Sequence, residues 1–204
     1  MTLEVPATLR AGQGDRASVA AMLARAFAED PATCFIFPDP VARAKRLPRL
    51  FGLLFDGDES TGMRLVTAGG AAATLWRGPG KSRTSRLEMI RSAWPMLRAM
   101  GLGSALGRAL AVSEAIDAHH PEGEFWYLHI AGCDPAMQGR GIGRAAVQAG
   151  LDRVAGSRLP VYLETPLEKN IGFYRGLGFD LTAEWQVPKN GPRFWSMTRS
   201  GSGS

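Results

Sequence analysis

Between Asp134 and Arg144 the chain reads Asp-Pro-Ala-Met-Gln-Gly-Arg-Gly-Ile-Gly-Arg, with glycine at every second position from 139 to 143. A run of this type can hold a pyrophosphate. Gly139, Gly141 and Gly143 let the backbone come close to an anion and turn several N–H groups toward it. A helix opening directly after the run adds the positive end of its dipole, and Arg140 and Arg144 add charge. Taken alone, the same residues also describe a tight turn. A P-loop is excluded, because no Lys-Ser or Lys-Thr follows the last glycine. A dinucleotide fingerprint fits better, with Gly141, Gly143 and Ala146 as G-x-G-x-x-A and Glu164 about 20 residues on. Two features oppose it. Asp134 to Arg140 put seven residues between the preceding strand and Gly141, and the chain after Glu164 is too short for the remaining parallel strands.

The loop needs a strand before it and a helix after it. Phe125 to Cys133 is rich in aromatic and β-branched residues and predicts the strand, while Ile142, Ala146, Val147 and Leu151 recur at helical spacing. Upstream, a first strand is expected near Ala7 to Arg10. A helix follows from Asp15 to Ala28, with Asp15 as N-cap and Val19, Met22, Leu23 and Phe27 as its buried face. A second helix is expected from Pro40 to Phe55. Met63 to Ala68 and Ala71 to Arg77 read as strands paired about Gly69-Gly70, and Arg86 to Ala118 as one or two helices broken near Pro95 and Gly101 to Gly103. A short strand from Val161 to Glu164 and a hairpin from Leu181 to Arg199 complete the order. Strands alternate with helices and hairpins flank the central unit, so the sheet is expected to be mixed.

The Gln138 to Gly143 loop matches the Q/R-x-x-G-x-G/A motif of the GCN5-related N-acetyltransferases, and Asn170 with Phe173-Tyr174 and Gly178-Phe179 matches their second motif. The two stand about 30 residues apart in the right order, which is far more specific than either alone. The chain therefore resembles that family, GNAT. Ala26 to Ala28, Pro31 to Thr33, Leu163 to Thr165, Val187-Pro188, Gly191 to Arg193 and Trp195 to Arg199 are similar to the group of relatives around puromycin N-acetyltransferase. The stretch from about Asp56 to Pro121 is not covered by the resemblance.

The resemblance implies an α/β fold of the α+β mixed-sheet kind, the acyl-CoA N-acyltransferase fold, with a central mixed sheet splayed at the fourth strand and flanked by helices. It implies one domain over residues 1–199, with 200–204 as a flexible tail. It also implies acetyl-CoA as cofactor. The pantetheine arm would pair with the backbone of Ala131, Gly132 and Cys133, with Gly132 allowing the bulge that splays the sheet. Gln138, Gly139, Arg140, Gly141, Ile142, Gly143 and Arg144 would hold the pyrophosphate, and Asn170 and Phe173 would add contacts. Helix capping is the alternative role for Asn170. Tyr174 stands where the family places the acid that protonates the leaving thiolate; its alternative is a half-buried aromatic. A phenol at ~10 and a thiol at ~8.5 differ by ~1.5 units, roughly 2 kcal/mol against full transfer, so Tyr174 must either be tuned or act by hydrogen bonding as the bond breaks.

Acetyl transfer from a thioester to an amine also needs a neutral nucleophile. The candidate bases are His129 on the strand before the loop, Glu164 on the next strand and Glu124 at the strand start. Alternation puts His129 on the face of Tyr127 and Ala131 unless a bulge intervenes. An α-amine, pKa ~7.8, is largely neutral near pH 7.5, whereas a lysine amine at ~10.4 is not, so the acceptor decides how strong a base is required. Trp76, Trp94 and Trp126 are candidates for a pocket wall or for the core. Asp39, Asp56, Asp58 and Glu59 read as exposed loop acids that solvate the surface or attract a cationic amine.

The 204 residues are enough to bury roughly 70% of the unfolded surface in one core. The balance of 24 basic to 19 acidic residues gives +5, yet no dense Lys/Arg run or basic helix face points to nucleic acid. Cys34 and Cys133 have no metal-ligand spacing, no basic-then-apolar leader opens the chain, and Arg98 and Arg108 interrupt the most apolar stretch. The expectation is a cytoplasmic enzyme, monomeric or homodimeric, without metal, membrane or nucleic-acid partner. It would acetylate a primary amine of a small molecule, such as an aminoacyl nucleoside or an antibiotic, by direct attack in a ternary complex, since neither cysteine has an activating partner. A protein or peptide acetyltransferase and a noncatalytic acyl-CoA sensor are the alternatives.

Overall fold

The computed structural model describes residues 6–82, 94–101 and 103–201. Seven strands form one sheet: β1 (Thr8–Arg10), β2 (Gly62–Thr67), β3 (Ala72–Arg77), β4 (Trp126–Cys133), β5 (Val161–Thr165), β6 (Asp180–Gln186) and β7 (Arg193–Arg199). Their order is β1-β2-β3-β4-β5-β7-β6. Every neighbouring pair is antiparallel except β4 and β5. The helices are α1 (Arg16–Ala26), α2 (Pro31–Ile36), α3 (Pro40–Thr61), α4 (Ser104–Ala118), α5 (Ile142–Val154) and α6 (Asn170–Arg175); residues 94–100 are also helical. The expected helix over Arg86 to Ala118 lies partly on residues 83–93, outside the described residues. Among the described residues no helix is long and apolar enough to cross a membrane.

Adjacent residues of the central strands alternate between two cores. Val66, Ala73 and Leu75 pack with Val19, Met22 and Leu23 of α1 and Leu47, Phe51 and Phe55 of α3. Leu65, Trp76 and Leu128 pack with Val147, Leu151 and Val154 of α5. Period-two alternation thus sends α1 and α3 to one face and α5 to the other. Trp76 is core, while Trp94 is exposed and Trp126 half-buried, so none of the three tryptophans reaches the site described below.

Local chemistry explains most boundaries, and it corrects two expectations. Asp15 is the N-cap residue of α1, but its carboxylate makes no capping bond to that helix and accepts from Gly12 N instead. The helix expected to end at Phe55 continues to Thr61, because Asp58 and Thr61 carry its inner stripe on beneath the sheet. Asp39 caps that helix at Ala42 N. The short α2 had no apolar period to announce it; Asp30 caps it, accepting from the N–H groups of Ala32 and Thr33, with Pro31 at the first helical position.

β4 and β5 pair only at Trp126↔Val161 and Tyr127↔Tyr162 and then part. On the other side, Leu75 faces Ile130 and Trp76 faces Leu128, so His129 is the extra residue of a β-bulge. The bulge lies at His129 and not at Gly132. Glycine suits position 132 for a different reason: a Cβ there would stand 2.5 Å from Leu23 Cδ2 and 3.1 Å from Phe27 Cε2, where α1 crosses the strand, so those side chains would have to shift.

Candidate active site

Where β4 and β5 part, a cleft of about 520 Å³ opens. One wall is β4 from Leu128 to Cys133, the other is Glu164 to Leu167 with the start of α6, and the glycine loop closes one end. Asp134 secures that loop. Its carboxylate accepts from Ala136 N and pairs with Arg25 of α1, and its own N–H donates to Ala71 O. Gln138 donates to Cys133 O across the turn. Gly139 and Gly141 have φ of 75° and 76°, in the left-handed region, and Gly141 is the N-cap of α5. A Cβ at either would meet nothing within 4 Å, so it is the backbone conformation rather than crowding that asks for glycine there.

The residues present fit a pyrophosphate. The first N–H groups of α5 have no acceptor within their own helix, the dipole favours an anion there, and Arg144 and Lys169 are the cations of the lining. Arg144 also donates to Gly176 O, which ties α5 to the end of α6. Asn170 does not cap α6, whose N-cap is Lys169; its amide donates to Thr165 Oγ1, 3.1 Å away, and holds the β5–α6 loop. Ala131, Gly132, Cys133, Gln138, Ile142, Gly143, Asn170 and Phe173 all line the cleft, whereas Arg140 is exposed outside it.

Titratable groups gather at the inner end. His129 lines the cleft, and its Nδ1 lies 2.7 Å from Asp58 Oδ2. Arg77 Nε lies 2.7 Å from the other oxygen, Asp58 Oδ1. Burial alone would raise the Asp58 carboxyl, but His129 and Arg77 outweigh it and hold the group below its ordinary value. Burial first, then the charge of Arg77, pushes His129 down against the pull of Asp58. At neutral pH the ring is therefore uncharged. An ionised carboxylate can only accept, so Nδ1 carries the ring proton and Nε2 a lone pair.

Glu164 lies within the same cleft. Tyr127 donates to its Oε1, while Oε2 is buried with no hydrogen-bond partner among the described residues. Burial raises this carboxyl to about 8 despite the Tyr127 hydrogen bond. Tyr174 is buried against the second core with its ring on the cleft, and burial, then the charge of Glu164, pushes its phenol above the ordinary value. Glu124, the third candidate base, is exposed and away from the lining.

Two lining or supporting carboxylates escaped the sequence reading. Asp58 is fully buried in α3 rather than on a loop. The signal was its spacing: Leu47, Phe51, Phe55 and Asp58 follow one helical stripe, and a charge on an apolar stripe needs a buried partner. The other three acids of that group are helix residues or caps, with Asp56 paired to Arg16 and Glu59 to Arg64. Asp30 lines the cleft beside Phe27, and burial lifts its carboxyl to about 6 against the capping N–H groups of Thr33 and Ala32.

Residues 102–179 match the model of the Acetyltransferase (GNAT) family. The chain is similar to mycothiol acetyltransferase of Nocardioides sp., 40% identical over 62 residues, 29% of this chain and 21% of the relative. It is also similar to that of Kineococcus radiotolerans, 38% identical over 68 residues, 32% of this chain and 22% of the relative. The matched segment thus spans about a fifth of the length of these relatives. Three solved structures share the fold. A Corynebacterium glutamicum protein described as histone acetyltransferase HPA2 and related acetyltransferase has a TM-score of 0.74 at 22% identity, over 98% of this chain and 99% of that one. Arylalkylamine N-acetyltransferase 2 of Aedes aegypti has 0.62 at 10%, over 97% and 99%. Drosophila melanogaster polyamine N-acetyltransferase, which forms N-acetylagmatine, has 0.60 at 16%, over 95% and 99%. The family model thus matches the motif-bearing segment, and the fold is shared with solved acetyltransferase structures across nearly the whole length of the chain.

Proposed function

We propose that the protein is an acetyl-CoA-dependent N-acetyltransferase, one domain over residues 1–199, acting on a primary amine of a small molecule by direct attack in a ternary complex. One observation carries this reading: a single cleft joins the glycine loop to His129, Glu164 and Tyr174. Acetyl-CoA, when bound, supplies the acetyl group as a thioester. The loop and the first turn of α5 grip the pyrophosphate, and the backbone of Ala131 to Cys133, freed where β4 leaves β5, pairs with the arm and steadies developing negative charge on oxygen. His129 Nε2 takes the proton that the amine nitrogen loses as the N–C bond forms. Tyr174 donates a hydrogen bond to sulfur as the C–S bond breaks and its electron pair goes to sulfur, which then takes a proton from solvent. Glu164 holds its own proton at neutral pH and becomes a second acceptor as pH rises through about 8. Direct attack is supported by the thiols of Cys34 and Cys133, both held up by burial and so poor nucleophiles.

The test is CoA release from acetyl-CoA over a panel of amines: puromycin, aminoacyl analogues, polyamines and lysine peptides, with Tyr174→Phe alongside. Turnover of a small amine, slowed in the variant, supports the reading. Turnover of peptides alone moves the protein to the peptide acetyltransferases, and tight acetyl-CoA binding with no acceptor moves it to a sensing role.

A further inference from the structure

We infer that Asp58, locked in place by Arg77, is a positioning residue that fixes the tautomer of His129 so that Nε2 presents a lone pair to the cleft. The inference rests on the acetyltransferase reading for its consequence, but not for its geometry. Asp58 is fully buried on the stripe of α3 that otherwise carries Leu47, Phe51 and Phe55. An apolar residue there would continue the core, whereas a buried ion pair brings a desolvation penalty that packing alone does not require. Both carboxylate oxygens are committed. Oδ1 accepts from Arg77 Nε on β3, and Oδ2 faces His129 Nδ1, each at 2.7 Å.

The strand contributes a second, independent observation. His129 is the extra residue of the β4 bulge, and a bulge re-aims one side chain out of the alternation. Here one ring nitrogen meets Asp58 of α3, at a residue that also lines the cleft. Among the described residues, the charged or titratable groups facing the ring are Asp58 from α3, Arg77 from β3, Asp117 from α4 and Tyr127 on its own strand. Of these, Asp58 alone is hydrogen-bonded to it.

Arg77 makes the test sharp. In Asp58→Asn the amide oxygen must face Arg77 Nε, which only donates, so the NH₂ faces Nδ1. Nδ1 then has to accept, the ring proton moves to Nε2, and the lone pair needed for the amine proton is gone. Imidazole ¹⁵N spectra read this directly, and the chain has only three histidines, His119, His120 and His129, with His129→Gln supplying the assignment. We expect the Nδ1–H tautomer in the wild type and Nε2–H in Asp58→Asn. We also expect kcat to fall about 100-fold or more, the range of lost general base catalysis, with KM for acetyl-CoA little changed. The acid limb of kcat/KM, set by His129 below its ordinary 6.5, should be lost from the variant. An Nε2–H tautomer in the wild type, or a tautomer switch that leaves kcat intact, overturns the inference. The wild-type spectrum needs no variant to fold. If the wild type turns over no amine at all, the acetyltransferase reading fails by itself, while the spectra still decide whether Asp58 sets the tautomer.

Discussion

Tyr174 and Glu164 share one low-dielectric corner, and their shifts constrain what each can do. With the phenol above its ordinary value, the gap to a thiol is wider than the reference ~1.5 units, so Tyr174 works by hydrogen-bonding sulfur rather than by giving up its proton. Removing that bond in Tyr174→Phe should lower kcat by about 10- to 100-fold, below the full range of acid catalysis, with KM for acetyl-CoA unchanged; steady-state kinetics check both. Glu164 predicts a stability effect. Its carboxyl titrates at about 8 in the fold against an ordinary 4.5. Between those pH values the folded protein keeps a proton that the unfolded chain has lost, so stability is full below the window and falls as pH rises through it. Glu164→Gln removes this titration. Tm measured from pH 5 to 9 should decline in the wild type and stay flatter in the variant; equal slopes would refute the shift. The motif residues themselves were legible in the sequence, because chain neighbours set them. Asp58 was not, because its partners come from β3 and β4 and only folding brings them to it.

Among the elements, the contact between α1 and β4 matters most, because β4 forms one wall of the cleft. Gly132 permits the contact. In Gly132→Ala the new methyl would stand 2.5 Å from Leu23 Cδ2, and the buried Leu23 side chain must shift within the core. Overpacking of this kind costs about 1–3 kcal/mol, which for a domain of this size lowers Tm by roughly 2–4 °C per kcal/mol; calorimetry of the variant reads it. The strand and the helix around the glycine loop were predictable from aromatic content and a 3.6-residue period. Other features were not. The α2 helix rests on a single capping aspartate and a proline, too short for any period, and the extra turn of α3 beyond Phe55 exists because Arg77 balances the charge of Asp58 and His129 hydrogen-bonds it.

For the whole molecule, the sheet of the described residues opens between β4 and β5, where pairing stops after two residue pairs. A ligand that binds only this folded arrangement stabilises it in proportion to its excess over Kd. CoA at 100 times its Kd should add about 2.7 kcal/mol and raise Tm by roughly 5–10 °C, seen in a thermal-shift titration. No shift at any concentration would sink the assignment of the Gln138 to Gly143 loop. The sequence by itself determined the loop, the strand and helix around it, the second motif at Asn170 to Phe179 and hence the resemblance to the acetyltransferases, because each depends on residues a few positions apart and on backbone freedom that glycine alone supplies. Only the tertiary structure decided where the bulge falls, at His129 rather than Gly132, that β4 and β5 separate after two residue pairs, and that Arg77, Asp58 and His129 form one line into the cleft. Those features depend on contacts between α3, β3 and β4, residues far apart in the chain, and the cost of burying a charge shows itself only when its partners arrive.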